Sequence, residues 1–475
     1  MLALAAASAA AACGRTQLDE LEPLPTGSKI PTVPTFDESV NSDLDIIFLI
    51  DNSGSMREEQ DNISRNFPVF ISALESLPEG LPNVHIGVLS SDLGAGRFAG
   101  SAVEGCTRVG GDGAIFQSTP RGRNGTCASA PKGGDSYLTV NGSKQNFDGS
   151  VSDALSCIAQ LGTRGCGFEH QLGAIWKALG GDGKMPAQNK GFLRDDALLA
   201  IVILTDEDDC SAPDDTDLFD PMQTLITDPL GPLDSYRCNE FGHLCNGVPP
   251  PRTMVAANLM SCVSNENGPL MPVGGLVDFF KSLKASPDDV IVAAITGPTM
   301  PYDVRLVSTR SRDTGVVEQE PRIQPSCMST NGSAAPAVRI QQFVSAFGAN
   351  GTVESICDGD FSPAMARIGD KIAGRVRHQC LENPPVDRDP ARAGIQANCE
   401  VYEETTTSDG VIRAVIRSCE DVQPPCWHIQ PDATCPGTGL EVIVDRGSTP
   451  AAPRTRVAVL CETCDTAEDP RCGGH

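Results

Sequence analysis

Residues 45–56 read DIIFLIDNSGSM: five apolar residues in a row, then an aspartate and two serines on alternate positions. A continuous apolar run closed by a Gly/Ser turn is the pattern of a strand covered on both faces, as in a parallel sheet. Asp51, Ser53 and Ser55 then fall in the loop at the strand's carboxyl end. Open α/β sheets bind their ligands there, in the crevice where strand order reverses.

Working outward, apolar runs alternate with helical patterns, which predicts a doubly wound, mostly parallel sheet built from βα units. The run at 45–50 is followed by 56–77, where Ile63, Phe67, Phe70, Ile71 and Leu74 recur at helical spacing. Strands are expected at 84–91, 197–205 and 290–296, and helices at 153–161, 168–179, 276–283 and 361–376. These place one domain at about 43–378. It exceeds a minimal unit, and the surplus falls at 92–150, 208–272 and 298–335, all rich in Gly, Pro, Asp and Cys. Such long loops are functional or disordered, and cysteines along them favour ordered, disulfide-pinned insertions. After residue 378 short alternating runs (IRAVIRSC, LEVIVD, RVAVLC) stand among Pro, Gly and eight cysteines, which predicts a small β-rich, disulfide-stapled module at 379–475. Trp427 is expected to pack over a bridge in it.

The chain is 475 residues long with 36 Lys plus Arg against 62 Asp plus Glu, a net charge of -26. That charge opposes binding to nucleic acid or to anionic lipid headgroups, and suits a cation or a basic partner. The first twelve residues, MLALAAASAAAA, are small and apolar and run into Cys13. AAAC at 10–13 resembles a bacterial lipobox, whose cysteine becomes the lipidated amino terminus, although the usual leucine is missing; no Lys or Arg precedes the apolar run, as a misplaced start codon that cuts off a basic segment would explain. The alternative is an ordinary cleaved signal. Residues 14–42 are polar and dotted with proline, the composition of an extended tether. No other stretch reaches the roughly 18 to 20 apolar residues of a membrane span, so a lipid on Cys13 is the expected membrane attachment. Besides Cys13, 18 cysteines run from Cys106 to Cys472, the usage of an exported chain in an oxidising compartment. Pairs close in sequence, Cys106 with Cys127 and Cys157 with Cys166, are plausible, but connectivity does not follow from sequence.

DNSGSM at 51–56 resembles the DxSxS signature of von Willebrand factor A domains, doubly wound α/β folds with a metal-ion-dependent adhesion site. The resemblance covers roughly 43–378, insertions aside. It implies a threonine from a second loop and an aspartate after the central apolar strand; Thr163 in GTRGCGFEHQL and Asp206 in ILTDEDD match by position. Ser53 and Ser55 would then bind the metal directly, Thr163 would add a hydroxyl or hold a water, and Asp51 and Asp206 would hold waters and supply charge. The chemistry agrees: Mg²⁺ wants near-octahedral oxygen and keeps several waters, although the ligand set also tolerates Ca²⁺ and Mn²⁺. With two formal negatives around a 2+ ion, one position stays attractive to an acidic side chain on a protein partner. Read without the resemblance, DxSxS can simply cap a helix, and Thr205, Ser90 and Ser91 also stand near strand ends.

The segment 206–220, DEDDCSAPDDTDLFD, carries eight acidic residues in fifteen. It lacks the EF-hand glycine and the glutamate at twelve, and reads as a solvated acidic loop beside the site, or as a Ca²⁺ or polysaccharide binder in its own right. Glu169 and Asp92 stay ambiguous. NSGSM is not the GxSxG nucleophile elbow, and HExxH and a phosphate-binding glycine loop are both missing, so the chain reads as a non-enzyme. CETC (461–464) and CNEFGHLC (238–245) read as disulfide cysteines rather than zinc or redox sites. The expected protein is an exported, lipid-anchored cell-envelope binder of an acidic protein ligand through a divalent cation. The alternative is a structural or assembly subunit whose metal mainly stabilises the loops.

Overall fold

In the computed structural model the first strand, β1 (Asp43–Ile50), is buried along almost its whole length and sends alternate side chains to opposite faces of one sheet. Residues 43–463 are described, except 78–80, 100–102, 104, 122–126, 143, 196, 285, 311–316, 331, 378–380, 382, 390, 393, 408–409, 432–437 and 446–454. Cys13, the signal and the tether therefore lie outside the described residues.

Leu44, Ile46, Phe48 and Ile50 join one core with helices α1 (Arg57–Glu75), α2 (Val151–Ile158) and Ser362–Arg377. Ile47 and Leu49 join a second core with α3 (Gln171–Ala178) and helices Val273–Ser282 and Val338–Ser345. This is the doubly wound arrangement, with helices on both sheet faces. Phe48 stands edge-on to Phe67 and Phe70 at 5.1 and 5.3 Å, and burying such a ring contributes about 1.5–3 kcal/mol. Pro68 interrupts α1 and has no N–H for the Ser64 carbonyl; the Ser156 hydroxyl of α2 donates to that carbonyl instead, at 2.8 Å.

The sheet has seven strands. From one edge these are Gly351–Ser355, Val290–Thr296, β5 (Leu198–Leu204), β1, β2 (Asn83–Ser90), β3 (Leu138–Asn141) and β4 (Lys144–Gln145). The first five run parallel, whereas β3 and β4 add antiparallel to β2. The chain goes from β1 to β2 on one side and reaches β5 on the other, so strand order reverses at β1. The crevice expected of an open α/β sheet lies between the carboxyl ends of β1 and β5.

The insertions contain ordered elements: β3 and β4 in the first, a strand pair His243–Cys245 and Cys262–Ser264 in the second, and a hairpin Val304–Arg310 with Val317–Ile323 in the third. Beyond them lies a five-stranded sheet in the order Leu440–Asp445, Cys426–Pro431, Gly410–Ser418, Cys399–Thr407 and Thr455–Cys461. Trp427 is buried there in one cluster with Cys461 and Cys399, which are bridged to each other.

Seven disulfides join described residues, the cysteine usage of an exported chain. The plausible neighbour pairs are not the ones formed: Cys106 bridges Cys166 and Cys127 bridges Cys157. The first insertion folds back onto the segment around α2, which exchanges the partners; proximity in space, not in sequence, chooses them. Cys238 pairs with Cys210 and Cys245 with Cys262, so CNEFGHLC is consumed by bridges. In CETC, Cys461 is bridged to Cys399, and Cys464 lies outside the described residues. Among the described residues no helix is long and apolar enough to cross a membrane.

Candidate metal centre

β1 delivers Asp51 to the sheet's edge, and its backbone N–H donates to the Leu204 carbonyl of β5 at 2.9 Å, which joins the two strand ends. The Asp51 carboxylate is fully buried. Oδ1 accepts the Ser53 N–H at 2.7 Å and the Ser91 hydroxyl at 3.4 Å, while Oδ2 accepts the Thr205 hydroxyl at 2.7 Å. Burial pushes this carboxyl up, and only hydroxyl and amide hydrogen bonds work against that.

The turn after Asp51 brings the Ser53 and Ser55 hydroxyls to 3.2 Å from each other, Ser53 buried and Ser55 exposed. Asp206 follows β5 by two residues, and its carboxyl takes a hydrogen bond from Ser55. Its Oδ1 is buried with no hydrogen-bond partner. Burial raises the Asp206 carboxyl well above the usual range, and repulsion from Asp51 and Glu207 adds to the effect. Asp51, Ser53, Ser55 and Asp206 are thus brought together.

Thr163 sits half-exposed on the loop before α3. That loop is tied to the Asp51 turn from two directions. The Gln60 amide donates to the Asp51 and Gly162 carbonyls at 2.8 and 2.9 Å, and its oxygen accepts the Gly162 N–H at 3.1 Å. The Gly165 N–H donates to the Asn52 carbonyl at 2.8 Å, and a Cβ on Gly165 would stand 2.3 Å from Asn52 Oδ1, so a side chain there would force the Asn52 amide to move. The other strand-end hydroxyls are engaged: Thr205 by Asp51 and Gln171, Ser91 by Asp51, and Ser90 by Asp112.

Sequence reasoning missed an inner layer of carboxyls. Glu59 on α1 is buried, its Oε2 has no partner, and burial with repulsion from Glu58 and Asp51 pushes it up to about 7. Glu207 is pushed up to about 7 by burial and is hydrogen-bonded to Glu169, itself buried and raised well above the usual range. One signal was present: Glu59 and Gln60 lie on the same turn of α1 as the core-facing Ile63, where a solvated helix face is not expected.

The acidic segment corrects the expectation of a solvated loop. Asp206, Asp208 and Asp209 are buried, and only 213–215 and 217 are exposed. Asp208 accepts from His243 Nε2 at 2.7 Å and from the Arg339 and Ile340 amides. Burial alone would raise it, but these contacts more than offset burial and leave it lowered. Asp209 pairs with the fully buried Arg339 at 3.0 Å. Asp92 is half-buried and raised by burial, with Oδ1 accepting the Gly94 N–H at 2.8 Å.

Among the described residues no three His, Cys, Asp or Glu side chains are gathered in a metal-holding group. A cation at this edge would therefore depend on hydroxyls as much as on carboxylates. The donors present, two serine hydroxyls and an Asp206 oxygen without a partner, are hard oxygens suited to Mg²⁺, Ca²⁺ or Mn²⁺.

No family model and no curated protein matches the sequence. Among solved structures, the open conformation of the pilus adhesin SpaC from Lactobacillus rhamnosus GG aligns with a TM-score of 0.32 and 10% identity over 90% of this chain and 39% of that one. A von Willebrand factor type A structure from Catenulispora acidiphila aligns at 0.27 and 10% identity over 88% of this chain and 58% of its own. The pilus adhesin RrgA from Streptococcus pneumoniae aligns at 0.28 and 10% identity over 90% and 57%. The chain spans less than two thirds of the length of each of these three. The assignment to a mostly parallel, doubly wound α/β fold rests on the sheet order itself.

Proposed function

We propose that this chain is an exported protein of the bacterial cell envelope, lipid-anchored through Cys13, that binds a protein ligand through a divalent cation at a von Willebrand factor A type adhesion site. Ser53 and Ser55 hold the ion, Thr163 completes the set from the neighbouring loop, and Asp51 and Asp206 supply the negative charge. The observation that carries this reading is the buried, unpartnered Oδ1 of Asp206 beside the fully buried Asp51. A buried carboxylate without a basic partner costs several kcal/mol, on the order of the desolvation penalty for one ion. The bound ion supplies the missing positive charge and an open coordination position for the partner's carboxylate. Thr205, Gln171 and Ser91 fix Asp51 in one orientation, and Gln60 fixes the distance between the two loops. In this reading the chain is a binder rather than an enzyme, the partner is not a nucleic acid, and the lipid is the membrane contact.

The alternative, an envelope assembly subunit whose cation mainly stabilises the loops, draws on the depth of Asp51, which no partner side chain can reach. The two readings separate under EDTA: partner capture is abolished in the first and only thermal stability falls in the second. The direct test is isothermal titration of Mg²⁺, Ca²⁺ and Mn²⁺ into the EDTA-stripped chain, wild type beside Ser53→Ala/Ser55→Ala. One ion bound by wild type and lost in the variant is the expected result. If wild type binds none, the site is architectural.

A further inference from the structure

A groove of about 720 Å³ has in its wall Thr163, one of the proposed ligands, and Asn52, which follows Asp51. Its lining includes Arg57, Arg108, Arg121 and Arg164. Four arginines in one groove are notable in a chain with a net charge of -26. They come from three separate parts of the chain: Arg57 opens α1, Arg164 adjoins Thr163, and Arg108 and Arg121 belong to the first insertion.

The groove's own acids do not neutralise them. Asp112 lies in the floor with its side chain only 3% exposed, takes the Ser90 hydroxyl, and is shared by Arg108 at 3.0 Å and by Arg121. One carboxylate thus faces two guanidinium groups, and Arg108 and Arg121 remain 66% and 37% exposed. Asp92 is half-buried and engaged by the Gly94 N–H, which leaves Asp61 as the exposed acid of the groove. Arg57 and Arg164 are exposed and have no ion-pair partner among the described residues. No lysine lines the groove. Arginine presents a planar fork that grips carboxylates in bidentate fashion, which an ammonium group cannot do.

We propose that the ligand is an extended peptide segment carrying several acidic side chains in series: one carboxylate on the cation, and its neighbours on Arg57, Arg164, Arg121 and Arg108. This rests on the metal-site reading and deepens it. A lone carboxylate can meet one of these arginines, whereas several in series can engage several of them at once. The arginines therefore set which acidic ligands bind, and the cation sets that they bind at this end.

The test is fluorescence anisotropy on the full, oxidised chain with fluorescein-labelled hexaglutamate and with a Gly-rich peptide holding one glutamate, each in Mg²⁺ and in EDTA. Arg57→Ala/Arg164→Ala, two exposed positions, is expected to weaken hexaglutamate binding about tenfold or more and to flatten its salt dependence. Binding of the single-glutamate peptide and of Mg²⁺ should change less than about twofold, and the melting temperature should hold. If the double variant binds hexaglutamate like wild type while EDTA still abolishes binding, the groove is overturned and the metal site stands. If binding needs the arginines but ignores EDTA, the groove stands and the metal site fails. Tighter binding of an oligogalacturonate than of hexaglutamate overturns the peptide as the ligand class.

Discussion

β1 carries two buried aspartates, Asp45 near its start and Asp51 just past its end, both with no measurable exposure. Their surroundings differ. Asp45 accepts Arg194 Nε and the Arg194 backbone N–H, each at 2.8 Å, and has Lys284 Nζ at 3.5 Å. Burial raises its carboxyl, and those two cations oppose the rise. Asp51 is raised by burial as well, but only Thr205, Ser53 and Ser91 answer it. The fold closes one end of the strand with its own counter-ions and leaves the other end short of positive charge. The same division runs through the run 206–209: Asp206 faces repulsion from Asp51 and Glu207, while Asp208 and Asp209 have His243 and Arg339. A structural carboxylate is recognised by its built-in base, and a site for an outside cation by the lack of one.

The largest expected effect breaks the closed end. Arg194→Ala leaves Asp45 buried with Lys284 at 3.5 Å and the His85 ring at 3.7 Å but without its guanidinium, and should cost about 3–5 kcal/mol in urea unfolding. Asp45→Asn in the same background should recover most of the loss, because the uncompensated charge is gone. A cost below about 1 kcal/mol would mean that Arg194 is no counter-ion in any energetic sense and that the two ends are alike.

At the open end the signs reverse. Asp51→Asn removes a buried charge that has no base, so in EDTA the variant should unfold no more easily than wild type, whereas Asp45→Asn should be destabilised. Adding Mg²⁺ to wild type at about a hundred times its dissociation constant should stabilise by about 2.7 kcal/mol, and the Asp51→Asn variant should gain almost none of it. Equal Mg²⁺ stabilisation of both proteins would place the ion elsewhere.

Most of the doubly wound core was legible because β1, β5 and Val290–Thr296 are covered on both faces and therefore read as unbroken apolar runs. The strand Gly351–Ser355 was not: as an edge strand it is only half-buried, and GTVES carries no run. β3 and β4 hid in the first insertion for the same reason, being short and flanked by glycine. In the candidate site, Asp51, Ser53 and Ser55 share one turn at a strand end, which the sequence shows directly, while Asp206 was placed by the resemblance alone. Glu59 and Gln60 carried only the weaker signal of lying on the same turn as the core-facing Ile63, and the loop at 162–165 that Gln60 ties to the Asp51 turn is remote in sequence. The acidic run misled because its partners are remote: Arg339 lies 130 residues from Asp209 and His243 lies 35 from Asp208. Disulfide partners were hidden by the same distance.

The smallest effect tests the same rule on a base, His170, buried just ahead of α3. A protonated His170 would put a positive charge inside the fold, where Asp209 is the carboxylate that favours it most. Its surroundings argue for the neutral ring. His170 is buried, Nε2 donates to the Gly94 carbonyl at 2.9 Å, and Nδ1 accepts the Ala212 N–H at 3.4 Å, so a second ring proton would point at an amide hydrogen. Burial lowers its pKa, with Asp209 pulling the other way and losing. A base with a lowered folded pKa is matched by an unfolded chain that takes up the proton first, near pH 6.5. Its stabilising contribution is whole above that pH and is lost as pH falls through 6.5 toward the folded value. Raised carboxyls such as Glu59 and Glu207 act in the opposite direction, gaining stability as pH falls through about 7. The comparison must therefore be between wild type and His170→Gln, where the carboxyl contributions cancel. Urea unfolding from pH 7.5 to pH 5 should show wild type losing stability relative to the variant by at most about 1.4 kcal/mol per pH unit, with the loss beginning near 6.5. The reverse slope, wild type gaining on the variant as pH falls, would mean that His170 is protonated in the fold and that Asp209 outweighs burial in setting its charge.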